Sequence, residues 1–198
     1  MNVEVTRPYR MVARAEAAAA TAERIIDAFV ELFWERMSDQ ITLDEVAAKA
    51  GVTVQTVIRR FGSKEGVFAA AVEKESARIG EQRDQAPSGD VAGAVSVLVE
   101  HYEEMGDIAM RLLAEEGRNP AVDLVIERAR GDHREWCEHV FEPVLSDLSG
   151  VERRRRFAQF VAVCDVYTWK LLRRDAGLSR TQTERAIVEM LAPFTKEN

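Results

Sequence analysis

Between Ile41 and Phe68, helix starts and stops follow one another so closely that only short helices joined by tight corners can satisfy them. Thr42 stands three residues before Glu45, the spacing of a capping box. In that motif the hydroxyl accepts a free backbone N–H of the first turn, and the carboxylate reaches back to the N-cap N–H. The residues after Thr42 therefore read as a helix over 43–50, with Val46, Ala47 and Ala50 inward. Gly51 supplies the left-handed backbone that ends it. Thr53 is the next N-cap, so a second helix runs from Val54 to about Phe61-Gly62, and Ser63 caps a third from Lys64 to about Ile79. Small Ala47 lets the first two helices approach closely. The product is a helix-turn-helix whose second helix starts with outward-facing polar residues.

A longer helix is expected before it, over 15–37. There Ile25, Ile26, Phe29, Leu32 and Phe33 form one apolar stripe, and Glu23, Asp27, Glu31 and Glu35 form an acidic line at i+4 spacing. Ala occurs 27 times among the 198 residues, and Gly and Pro number only 11 and 5. That composition favours an all-α fold over a turn-rich β architecture. Beyond the loop at 83–90, five further helices are expected, over about 90–104, 106–117, 120–148, 151–176 and 180–194. Pro120 suits a first helical turn, Pro143 a kink or split, and Gly150 and Gly177 stops. The chain thus divides into a flexible arm (1–14), a helix-turn-helix domain (15–66) and a larger helical domain (67–198).

The formal net charge of −7 opposes nucleic-acid binding only until its distribution is considered. Residues 1–66 carry nine Lys and Arg against ten Asp and Glu, and most of the acid excess falls later. A basic face near the N-terminus is compatible with the total. The longest nearly apolar run, Val91 to Val99, is far below the roughly 20 residues of a membrane span. No secretory signal is visible, and the two cysteines, Cys137 and Cys164, outline no disulfide framework; a cytoplasmic protein with reduced thiols is expected. His133 and Cys137 share a helix face, but two ligands do not make a zinc site. No phosphate-binding Gly loop, paired carboxylates or nucleophile elbow appears. The sequence therefore predicts no enzyme, metal or cofactor.

From Thr42 to Phe68 the chain reads Thr-Leu-Asp-Glu-Val-Ala-Ala-Lys-Ala-Gly-Val-Thr-Val-Gln-Thr-Val-Ile-Arg-Arg-Phe-Gly-Ser-Lys-Glu-Gly-Val-Phe. This resembles the TetR family of transcriptional repressors over about 25 positions in order, plus the preceding helix. The resemblance implies a homodimer that binds a pseudo-palindromic double-stranded DNA operator and dissociates on binding a small hydrophobic or aromatic effector. It implies that the larger domain (67–198) serves ligand binding and dimerisation, the latter through the last two long helices, here 151–176 and 180–194. It also implies phosphate contacts by Thr42, Thr56 and Lys64. Val54, Gln55 and Arg59 are the base-reading candidates, because Gln suits adenine, Arg suits guanine and Val packs on a thymine methyl. Thr53 belongs to the same face, although capping alone explains both threonine caps. Two departures stand out: Ile58 replaces the usual Tyr, and Arg60 replaces an aromatic residue or His. Ile cannot hydrogen-bond to a phosphate, so Arg59 and Arg60 are the cationic replacements. Arg7, Arg10 and Arg14 make the arm a candidate minor-groove strand.

In the larger domain His101, Tyr102, Met105, Met110, His133, Trp136, Cys137, Phe141, Cys164 and Tyr167 are candidates to line an effector cavity, with His101, Tyr102 and His133 as polar anchors. The run Arg153 to Arg156 reads as a solvated helix start. The rival to a DNA-binding regulator is a helical interaction module in which the helix-turn-helix is purely structural.

Overall fold

The computed structural model describes residues 6–195, with side chains from Met11 onward. All regular structure among these residues is helical. The elements are α1 (Thr6–Glu35), α2 (Leu43–Ala50), α3 (Val54–Phe61), α4 (Lys64–Arg83), α5 (Val91–Ala114), α6 (Pro120–Leu145), α7 (Gly150–Val163), α8 (Val166–Lys170) and α9 (Arg180–Thr195). They fall into two compact units that divide between Glu75 and Ser76, nine residues beyond the expected boundary. The expected arm is already helical from Thr6; its first five residues lie outside the described part.

The first unit is built on the apolar stripe of α1. Ile25, Phe29, Leu32 and Phe33 are buried with Val46, Ala47 and Ala50 of α2, Val57 of α3, and Val67, Phe68 and Ala71 of α4. Phe29, Phe33 and Phe68 form a triangle of rings with centroids 5.9–6.2 Å apart. The acidic line on α1 is a docking edge: Glu23 and Asp27 both hold the Lys74 ammonium at 2.6 Å, and Glu31 holds Lys49 at 2.8 Å.

The second unit corrects several expected boundaries. Residues 90–104 and 106–117 are not two helices but one, α5, which runs through Gly106 without a break. Pro143 lies inside α6 and does not split it. Gly150 opens α7 rather than closing α6. The expected helix 151–176 is three pieces. Asp165 interrupts it in an extended conformation and caps α8 through the Tyr167 N–H, and Leu171–Asp175 then widens into a π turn. The carbonyls freed at the end of α7 are satisfied by hydroxyls: Tyr102 donates to Cys164 O at 3.0 Å and Thr168 to Ala162 O at 2.8 Å. Trp169, Phe141, Phe160, Leu98 and Leu191 are fully buried in this core, where Phe141 and Phe160 stack at 4.0 Å. The arginine run is partly compensated: Arg153 pairs with Glu138, and Arg156 lies over the Phe194 ring while donating to its carbonyl.

Candidate nucleic-acid interface and interior cavity

The capping box at α2 is complete. The Thr42 N–H donates to Glu45 Oε2 at 3.0 Å, and the Glu45 N–H donates to Thr42 Oγ1 at 3.3 Å. Arg36 adds an ion pair to Glu45 at 2.7 Å. That bond, with those from Thr42, holds the Glu45 carboxyl down to a pKa of about 2. Gly51, at φ +66°, ends α2, and the Val52 N–H returns to Ala47 O at 2.9 Å. The Gly51 N–H likewise donates to Ala48 O at 3.2 Å, so both donors at the corner return to carbonyls of α2.

In α3, Thr53 Oγ1 accepts the Thr56 N–H at 3.2 Å and lies 3.0 Å from Thr56 Oγ1. Val57 is the one buried residue of this helix and anchors it to the unit. Gln55, Ile58, Arg59 and Arg60 are exposed, and Val54 and Thr56 are half-buried. Neither arginine is paired with a carboxylate among the described residues. Five of the eight candidate interface residues thus lie at two adjoining helix starts, those of α2 and α3, and Arg59 and Arg60 stand in the last turn of α3. Lys64 has an internal role as well. Its Nζ donates to Ser38 O at 3.0 Å, tying the start of α4 to the α1–α2 connection and leaving two N–H groups.

In the second unit a cavity of about 150 Å³ opens between α4, α5, α6 and α8. Of the ten candidate effector residues, His101, Tyr102, His133 and Tyr167 line it. Met105, Met110, Trp136, Cys137, Phe141 and Cys164 do not. Phe141 belongs to the stacked pair with Phe160, Met105 receives a contact from Arg78, and the two thiols are core residues. Aromatic and sulfur side chains fill space, so choosing them selected the core; the cavity walls are the smaller Ala109, Leu112, Leu113, Ile126 and Val166.

The most informative wall residue has no mark in the sequence. Arg83, at the end of α4, is 8% exposed. Its Nη2 lies 3.0 Å from His133 Nδ1, and its guanidinium carbon sits 5.3 Å from the Trp136 ring centre. The basic guanidinium donates, so His133 Nδ1 accepts, and Nε2–H points to Val161 O at 3.2 Å. Burial, with the nearby charges of Arg83 and Arg78, pushes the His101 imidazole down to a pKa of about 3. Burial pushes the Tyr102 phenol up. The Cys164 thiol hydrogen-bonds to Cys137, which draws the Cys137 thiol down and pushes Cys164 up; both cysteines are free thiols. Among the described residues no group of three His, Cys, Asp or Glu side chains is placed to hold a metal. No helix there is long and apolar enough to cross a membrane.

Residues 25–71 match the model of the bacterial regulatory proteins of the tetR family. Two uncharacterized HTH-type transcriptional regulators of Mycobacterium tuberculosis, from strains CDC 1551 and H37Rv, are each 38% identical over 61 residues. That segment is 31% of this chain and 30% of theirs, so the match spans under a third of the relatives' length. The fold extends further than the sequence match. A SmeT–triclosan complex superposes with a TM-score of 0.69 at 17% identity, covering 90% of this chain and 93% of that one. The regulator FadR from Bacillus subtilis, in complex with stearoyl-CoA, gives 0.62 at 17% identity over 85% and 96%. Residues 25–71 thus carry the N-terminal helix-turn-helix region of the tetR family of bacterial regulatory proteins, and the helical fold of the chain is shared with these solved structures.

Proposed function

We propose that the protein is a cytoplasmic transcriptional repressor that binds a pseudo-palindromic operator as a homodimer and is released by a small hydrophobic or aromatic ligand. The observation that carries this reading is α3. Gln55, Arg59 and Arg60 stand exposed and unpaired on a helix that Val57 holds rigidly from behind. Gln55 and Arg59, with Val54, are the base readers. Thr42, Thr53, Thr56 and Lys64 flank them as phosphate contacts, and Arg60 adds positive charge beside the backbone. A two-fold dimer sets two such helices about 34–36 Å apart, one turn of the duplex.

Dimerisation is assigned to the C-terminal helices. Leu171 is 58% exposed and Met190 is 43% exposed, which leaves apolar surface for a second subunit. The cavity in the same unit is the effector site. Two solved neighbours hold small molecules of very different size, in keeping with such a site. To release DNA, the effector must bind the operator-incompatible arrangement more tightly than the other. The test is selection of bound sites from random duplexes by the purified protein, followed by affinity against salt. The reading requires one preferred sequence and a steep loss of affinity as salt rises. Equal, weak binding to all duplexes would remove it.

A further inference from the structure

Arg83 is a cation buried in a mostly apolar cavity, and it makes no ion pair there. Among the described residues no carboxylate lies within ion-pair distance of it. Its two neighbours there are His133, which accepts one N–H at Nδ1, and the face of Trp136. Its Nε has no hydrogen-bond partner. His101, 7% exposed on the same wall, also has an unpartnered Nδ1. The other charges of the lining are engaged elsewhere. Arg130 is held by both oxygens of Glu116, and Asp165 accepts the Tyr167 N–H. A buried guanidinium with idle donors is costly, and the cost falls when an anion completes its hydrogen bonds.

Building on the effector reading above, we infer that this cavity is a carboxylate site, which takes a small monocarboxylic acid with its head on Arg83 and its apolar body against Leu112, Leu113, Ile126 and Val166. A carboxylate matches the planar fork of a guanidinium and accepts two parallel N–H bonds. His101 is placed to add a third contact from its idle nitrogen. A space of about 150 Å³ holds a body of roughly one benzene ring, which limits the acid to a single ring or a short chain.

The experiment is calorimetric titration of the full chain with two acid–alcohol pairs of matched shape: 4-methylbenzoate against 4-methylbenzyl alcohol, and hexanoate against hexanol. At least one acid is expected to bind ten-fold or more tightly than its alcohol. Arg83→Gln is expected to abolish that preference and Arg83→Lys to keep part of it. The inference is overturned if neither acid outbinds its alcohol on the native protein, a result that needs no variant to fold. It is equally overturned if the preference survives in Arg83→Gln. Gel shifts on a selected duplex separate the two readings. Operator binding without acid binding removes the carboxylate site alone. Acid binding that leaves the operator complex intact upholds the carboxylate site and removes the release mechanism.

Discussion

Gly106 lies against the six-membered ring of the Trp169 indole, so close that a Cβ at that position would meet Cζ3 at 2.4 Å. Trp169 is fully buried and its Nε1–H is held by Glu103 at 3.1 Å, so the ring has little freedom to retreat. Gly106→Ala is therefore expected to destabilise the protein by about 1–3 kcal/mol, the usual cost of overpacking, although alanine is the better helix former. Urea unfolding followed by tryptophan fluorescence measures it. A neutral or stabilising result would mean that the α5–α8 contact yields.

Arg59→Ala and Gln55→Ala remove exposed side chains that make no ion pair among the described residues. Each is expected to weaken binding to the selected operator, with about 1–3 kcal/mol of sequence discrimination lost per good base contact. Stability should stay within about 0.5 kcal/mol of the parent, as for surface changes generally. Gel shifts on matched and mutated sites, with thermal melts alongside, read both quantities. Unchanged discrimination in both variants would move the reading surface off α3.

Lys64→Ala should behave differently. Its ammonium is bonded to the Ser38 carbonyl, so its loss costs about 1 kcal/mol of stability in addition to any phosphate contact. A variant that loses DNA affinity at full stability would place the whole of its role at the DNA.

Glu45 makes the first unit acid-sensitive in a defined window. Its carboxyl is held at about 2 when folded, against an ordinary value of 4.5. The unfolded chain therefore takes up a proton between those values that the folded chain refuses. The stabilisation is complete above 4.5 and is lost as pH falls toward 2. Glu45→Gln should flatten this part of the stability profile, measured by denaturant unfolding at successive pH values. An unchanged slope would place the acid sensitivity at other carboxylates.

Leu171→Glu and Met190→Glu add charge to exposed apolar positions on the C-terminal helices. Neither side chain is buried in its own subunit, so the fold should survive. Sedimentation is expected to show a shift from dimer to monomer, with operator affinity falling because one recognition helix contacts only a half-site. A dimer that persists in both variants would place the interface elsewhere.

What could be read in advance was local. Thr42 with Glu45, Gly51 and Thr53 act within four residues of themselves, and the short helices appear where those signals put them. The errors arise where a partner lies far along the chain. Gly106 reads as a break because its reason, the Trp169 ring, is 63 residues away. The interruption at Asp165 is hidden inside an apolar run, and becomes intelligible only when Tyr102 is seen to accept responsibility for the Cys164 carbonyl by donating to it. Arg83 looks like any cation near a helix end. Its meaning depends on His133 and Trp136, which the fold alone brings beside it.

Because Val57 is the one buried residue of α3, its exposed positions, Gln55, Ile58, Arg59 and Arg60, are released from any duty in holding the body together. Its lettering can be rewritten by single substitutions at negligible folding cost. On the repressor reading proposed above, a lineage built on this frame can therefore acquire new target genes while the machinery beneath stays as it is.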